Sequence, residues 1–564
     1  MRKLFLLNRH FNRIAQWQSV HFDNIPEYID PVWLPIQGTL PSWLNGTMYR
    51  VGPGRFTLEN DMTIRHAFDG IPFVHRFQFD PEQQRVRYNS RNIAKKAERN
   101  LVDGKPTILF GHIDEQSMMA RLACWLRRTH YLLKVGLDMS EPSSQMVGVT
   151  PTPNYPLPRQ LKKNTASHHE PTLVTKTDAN ILQKIHVDTL EPEQLFRYNT
   201  YGPELGGDLA AAHHQHDPDT EEIFNFTLTL GLFPKLTVFS CTKDGTVTVY
   251  ATITKRTNGT PLRPSYIHSF WLTKHYIILP EAPLYFGGNG ATMMASGSVS
   301  SSLVWDNHGQ TYLHVISRRP DVGLVASIPV HPFFTFHVGN AWEAYDSTTK
   351  QTTLVLDCAA FPDGDIVHQV HTFGHQLPLA GPKTYRTHPA SVKEERGFYL
   401  PPARQSSFGD LVRLSVQLGG KIATMAKLAS NVEFLRFNPM KALKPYRYVF
   451  ANQLVTATNK TSSRYNLVKI DTQTLAMTAF DEQHQVCSEP IFVPRPDATG
   501  EDDGVVLSLV NVLFGQSGGQ PHCYLLVLDA ATMTEVARCP LGHFSNITFH
   551  GSYVDQDYQS VSIN

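Results

Sequence analysis

The amino-acid sequence predicts an all-β protein, either a propeller or a large barrel, on three features. Short runs rich in Val, Ile, Thr, Tyr and Phe recur along most of the chain. Asp-Pro, Asn-Gly, Asp-Gly and Gly-Gly pairs, the residues that turns require, fall between them. The runs are spread over hundreds of residues, as in architectures assembled from many short strands. No repeat of fixed period stands out, so pattern alone leaves the two architectures open.

In chain order, strands are expected at 107–110, 172–175, 223–230, 246–254, 276–279, 311–316, 352–356, 504–513 and 523–528. The stretches DPEQQ at Asp80, DPDTEE at Asp217 and KDGT at Lys243 read as hairpin loops, because Asp, Pro and Gly favour turn geometry. Two segments break the pattern with apolar residues at helical spacing. The first, 118–135, interleaves them with Arg121, Arg127, Arg128 and Lys134; the second is 411–428. A basic amphipathic helix either packs on a core with its charges wet or lies on a membrane surface. The expected organisation is therefore an N-terminal arm over 1–30 and one β domain over 31–564. Helical insertions are placed near 116–136 and 408–430.

Composition narrows the function. The 564 residues carry 51 basic and 50 acidic side chains, a net charge of +1, which argues against a polyanion-binding surface. Hydrophobic residues make up 41%, enough for a sizeable core, and no apolar run approaches the roughly 18–20 residues that span a bilayer. The six cysteines are scattered and form no CxxC pair, which suits reduced thiols. The N-terminus has four basic residues and no acid before Asp23. Its apolar run is too short for a secretory signal. A basic arm of a cytoplasmic, peripherally membrane-associated protein and a mitochondrial transit peptide both remain open.

The excess is in histidine, with 26. Four of them sit in strand-like or strand-end contexts: His213 in DLAAAHHQHDPD, His268 in PSYIHSFW, His337 in PFFTFHVGNAWE and His550 in NITFHGSYV. Local zinc motifs place ligands within a few residues of each other, whereas these are far apart and need a fold that brings distant strands together. Taken singly, each also reads as a hydrogen-bonded core histidine, and His214 and His216 compete with His213.

These contexts resemble the carotenoid cleavage oxygenases, which include the animal carotene oxygenases and the retinal pigment epithelium isomerohydrolase. The resemblance runs from PSWLNGTMYRVGPGRF at Pro41 to TFHGSYV at Thr548. It includes HAFDGIPFVHRFQF at His66, EPTLVTKTD at Glu170, PSYIHSF at Pro264, FHVGNAWE at Phe336 and SEPIFVPRPDATGEDDGVVLSLV at Ser488. It implies a seven-bladed β-propeller with a helical and loop cap over an axial metal site. It further implies one Fe(II) per chain held by His213, His268, His337 and His550, with O2 as co-substrate. Where the family usually reads Ala-His-Pro-His, this chain has Ala212-His213-His214-Gln215, and register on Asp217-Pro218 selects His213.

The same resemblance places glutamates behind the ligands at Glu170, Glu433 and Glu489, although Leu435 replaces the family's usual Pro beside Glu433. A carboxylate that accepts one imidazole N–H fixes the tautomer and leaves the other nitrogen for a metal. Phe110 and Phe361 fall where the family has aromatic substrate-contacting residues. The implied activity is oxidative scission of one conjugated C=C of a carotenoid or apocarotenoid into two carbonyl products. Several motifs depart from the animal symmetric-cleavage pattern, which points to asymmetric cleavage. Two alternatives are a retinyl-ester isomerohydrolase working without O2, and a non-catalytic lipid-binding propeller. The isomerohydrolase-type Pro-Asp-Pro-Cys-Lys stretch is absent, and Cys124 does not match it. The implied partners are the polyene substrate and a membrane surface, with no nucleic acid.

Overall fold

The structure is a computed structural model. It describes residues 23–59, 64, 66–105, 107–111, 126, 139–162, 171–369, 408–455, 464–482, 485–512, 521–558 and 561–562. The 116–136 segment, Leu126 apart, lies outside the described residues, as does Cys124. No helix among the described residues is long and apolar enough to cross a membrane.

The strands gather into mainly antiparallel sheets, three of them four strands wide. One sheet runs from Thr150–Pro153 to Pro192–Phe196, and the next is centred on Ile223–Thr229 and Lys235–Cys241. A third runs from Trp271–Leu272 to Leu324–Val330, and a fourth from Val338–Asp346 to Ile422–Ala429. A ten-stranded sheet follows. Its two halves are joined by a single parallel pair, Tyr465 with Val486. In the sixth sheet the early strand Gly46–Arg55 pairs antiparallel with the late strand His550–Asp555, setting Val51 opposite His550.

Eight of the nine expected strands are present, with ends moved by a few residues: for example Ile223–Thr229, Gln351–Ala360 and His522–Asp529. The ninth, 107–110, makes only an isolated bridge between Leu109 and Ser298. The largest correction concerns 411–428, which is not a helix. It forms the strands Asp410–Gln417 and Ile422–Ala429, a hairpin turned at Leu418–Lys421. Lys421 takes φ 51 there, a left-handed conformation next to two glycines. The first strand alternates buried and wetter positions, as a half-covered strand must. The second is an edge strand with Ile422 and Met425 exposed, so its apolar residues mimic the face of a helix.

The apolar residues pack between neighbouring sheets. One cluster joins Met48, Phe77 and Tyr88 of the sixth sheet to Leu507, Leu525 and Cys539 of the ten-stranded one. Another joins Ile278 and Leu313 to Leu354 and Leu414. The five cysteines among the described residues are free and buried.

Candidate metal centre

Each of the four histidines stands near the start of a short strand. His550 opens His550–Asp555, and His337 immediately precedes Val338–Asp346. His268 comes just before Trp271–Leu272, and His213 lies between Leu209–Ala210 and Gln215–His216. The fold brings these residues, distant in sequence, to one place. All four are buried, and their ligand atoms lie within 4.8 Å of one another. His550 Nε2 is 3.2 Å from His213 Nε2 and 3.2 Å from His337 Nε2.

Carboxylates hold three of the rings from behind. His337 Nδ1 donates to Glu433 Oε2 at 2.5 Å, and His550 Nδ1 donates to Glu489 Oε1 at 3.0 Å. His268 Nδ1 donates to Asp178 at 2.9 and 3.0 Å. Asp178 also accepts the Tyr266 hydroxyl at 2.7 Å and the Ala212 N–H at 3.2 Å. Burial, then the neighbouring Asp178 charge, pushes the Tyr266 phenol up, so it stays a donor. The Asp178–His268 contact is the one that sequence reading missed. Asp178 ends the very stretch, EPTLVTKTD, whose first residue, Glu170, it singled out. Glu170 itself lies outside the described residues. The usable signal was position: Asp178 sits two residues beyond the strand Leu173–Lys176, at a strand end as the ligands are.

Glu433 and Arg436 flank a register shift where Val432–Arg436 pairs with Tyr448–Val455. Phe434 inside that shift has φ 58, and its N–H donates to Glu433 Oε2 at 2.5 Å. Such a bulge re-aims side chains. Here it turns Glu433 onto His337 and Arg436 onto Glu489, whose two oxygens each lie 3.0 Å from the guanidinium. Burial would raise the Glu489 carboxyl, but Arg436 and His550 outweigh it and hold it well below the usual carboxylate range.

Burial, reinforced by the neighbouring histidines, drives His213 far below the ordinary imidazole value. Burial likewise brings His550 down to about 3 against the pull of Glu489. His213 and His550 are therefore neutral at ordinary pH. With each Nδ1 proton of His337 and His550 given to a carboxylate, their Nε2 atoms carry bare lone pairs. Lone pairs 3.2 Å apart repel unless a cation lies among them. Four buried imidazoles, three of them backed by carboxylates, fit a divalent first-row transition metal.

His214 is buried too, but it faces away: its Nδ1 hydrogen-bonds Lys176 and its ring meets Tyr155 edge-on. Of the three neighbouring histidines, the cluster takes His213.

His268, His337 and His550 open into a cavity of about 530 Å3, and His213 is not part of its wall. Phe110 and Phe361, the two expected aromatics, both line it. So do Phe336 and Phe549, each the residue directly before a ligand histidine, along with Phe68 and Tyr266. Phe68 packs edge-on against Phe110 at 4.9 Å, Phe549 at 5.3 Å and Phe336 at 6.1 Å.

A mostly-β fold with a buried four-histidine group that could hold a metal, opening into an aromatic chamber, defines a class of site suited to apolar molecules. The chain belongs to the retinal pigment epithelial membrane protein family, whose model matches residues 22–555. It is 28% identical over 572 residues to a torulene dioxygenase of Gibberella fujikuroi, covering 94% of this chain and 92% of that protein. It is 26% identical to a carotenoid dioxygenase of Neurospora crassa, covering 97% and 93%. To a beta,beta-carotene 15,15'-dioxygenase of Mus musculus it is 25% identical, covering 95% and 92%. Among solved structures, a mutant of Synechocystis apocarotenoid oxygenase matches with a TM-score of 0.69 at 20% identity. That match covers 96% of this chain and 99% of that one, and the neighbour is a propeller.

Proposed function

We propose that this protein is a non-haem iron(II) dioxygenase that cleaves one conjugated C=C of a carotenoid or apocarotenoid into two carbonyl products, asymmetrically along the polyene. The observation that carries the reading is the four-histidine centre opening into an aromatic-walled cavity. The dioxygenase names of its relatives support it. The six sheets of four or more strands, with the ten-stranded one counted as two, would supply seven blades around that centre. His213, His268, His337 and His550 would hold the iron, which when bound supplies dioxygen activation beside the double bond.

The chain's own residues do the rest. Asp178, Glu433 and Glu489 accept from Nδ1 of His268, His337 and His550 and keep the other ring nitrogen turned inward. Phe336 and Phe549 bring aromatic faces to the metal side of the cavity, where they grip a polyene and favour cationic character in it. The same walls exclude water from the reacting carbons. A substrate that partitions into lipid is collected at a membrane surface by a cytoplasmic, peripherally bound protein. The exposed hairpin tip Leu232–Phe233 suits such a contact.

The test is dioxygen uptake by the iron-loaded protein with a panel of carotenoids and apocarotenoids, with products separated by chromatography. Stoichiometric uptake with paired carbonyl fragments is expected. Isomerisation or ester cleavage without uptake would replace this reading with the isomerohydrolase one. A chain that takes up no iron when produced with Fe(II) would leave only the lipid-binding propeller.

A further inference from the structure

The motif HAFDGIPFVHRF contributes a residue to the cavity that the reaction as described does not use. Asp69 lies on the short 3-10 turn Ala67–Asp69, is buried, and lines the cavity. Both of its carboxylate oxygens are engaged by main-chain donors of the neighbouring 110–111 stretch. Oδ1 accepts the Phe110 N–H at 2.6 Å, and Oδ2 accepts the Gly111 N–H at 2.7 Å. A carboxylate that accepts two charge-assisted bonds from consecutive amides fixes that piece of backbone in both position and rotation.

The far side of the same segment is held as well. Leu109 N–H donates to Gly297 O at 2.9 Å, and Ser300 N–H donates to Phe110 O at 2.8 Å. The stretch that carries Phe110 is thus suspended between the 297–300 loop and Asp69, with no strand of its own. The approach is so close that a Cβ on Gly111 would stand 2.8 Å from Asp69 Oδ2 and 2.5 Å from His66 Cβ.

We propose that Asp69 is a positioning residue for polyene cleavage: it fixes Phe110 in the cavity wall and so determines which double bond stops at the metal centre. This rests on the dioxygenase reading above. Phe110 meets Phe68 at 4.9 Å, and Phe68 in turn meets Phe336 and Phe549, which carry His337 and His550 next in the chain. The wall set by Asp69 is therefore continuous with the ligand-bearing backbone. Neighbouring double bonds of a polyene are nearly identical chemically, so only the wall discriminates among them. A displacement of about 1 Å in such a positioning surface is enough to cost about a hundredfold in rate. The role assigned to Asp69 is held by its two main-chain bonds and needs no proton transfer to substrate. Burial raises its carboxyl to about 6 while the two N–H bonds pull the other way, so it is ionised at neutral pH and able to accept both.

The test uses the iron-loaded full chain and measures iron content, kcat and KM, and the chain lengths of the products for Asp69→Asn, Phe110→Leu and the double variant. An asparagine at 69 can accept one of the two N–H groups but presents its own N–H2 to the other. Asp69→Asn is expected to keep the wild-type iron content, lower kcat/KM by about tenfold or more, and change the ratio of product chain lengths. The double variant should give the products of Phe110→Leu alone, because both changes act through one ring. A merely structural role would reduce the amount of active enzyme and leave the product ratio untouched. Unchanged products, loss of iron in step with activity, or additive effects in the double variant would each overturn the proposal. If Asp69→Asn does not fold, Gly111→Ala presses on the same carboxylate and should shift the products, and wild-type products there would overturn it. Absence of polyene cleavage by the wild-type chain would sink the dioxygenase reading itself; cleavage with an unaltered pattern in the variants would sink only this one.

Discussion

Four histidines meet at one point, yet the protein holds them in two ways. His268, His337 and His550 are gripped by their side chains, each by a carboxylate on Nδ1, and each reaches the cavity wall. His213 is positioned through its main chain. The preceding residue, Ala212, donates its N–H to Asp178, and its carbonyl accepts the Thr150 hydroxyl at 2.9 Å. Among the described residues no carboxylate backs its ring, and it stays behind the cavity. The difference teaches that one centre can combine rings whose tautomer is imposed with a ring whose place is imposed. Asp178 joins the two, since one carboxylate orients His268 and tethers the peptide that carries His213.

The comparison breaks most visibly at the ligands. His213→Ala should empty the iron site as completely as His550→Ala does, whereas His214→Ala and His216→Ala should keep their iron, measured by metal analysis of purified protein. Iron lost from His214→Ala instead would move the main-chain-held ligand by one residue. Next in size is Glu489→Gln. It strips the partner from buried Arg436, a change that costs about 3–5 kcal/mol when one member of a buried pair is removed. It should lower the melting temperature and the iron content together.

Asp178→Asn should be milder and more selective. Loss of such an outer carboxylate lowers metal affinity about 10–100-fold, and chelator competition should show that loss with little change in melting temperature. Smallest for the metal is Phe361→Ala: iron should stay, while the cleavage position or rate changes in the product chromatogram. Equal loss of iron would show that Phe361 supports the centre rather than the substrate.

Much of this was legible in the sequence, for physical reasons. Strands bounded by Asp-Pro or Asp-Gly announce themselves, so Lys235–Cys241 and Val247–Ile253 flank the turn expected at Lys243. Three ligands stand in long motifs that fix their register. The hairpin Asp410–Ala429 was not legible, because an exposed edge strand carrying Ile422 and Met425 has the apolar spacing of an amphipathic helix. Asp178 was missed because a carboxylate's partner in space leaves no local mark. Glu170 and Asp178 look alike in EPTLVTKTD, and only the fold brings Asp178 to His268. Asp69 lay in a motif already noticed, but its two amide partners come from a stretch without regular structure.

The pairing of Val51 with His550 bears on how the protein is made. A ligand contributed by the late strand that zips onto the sixth sheet cannot join the others until synthesis has passed it. Contacts of such sequence separation close late and slowly in folding. Until residue 550 is in place, the chain has at most His213, His268 and His337 of the four to offer a metal. The four-histidine set is complete only once the last strand has paired with the sixth sheet.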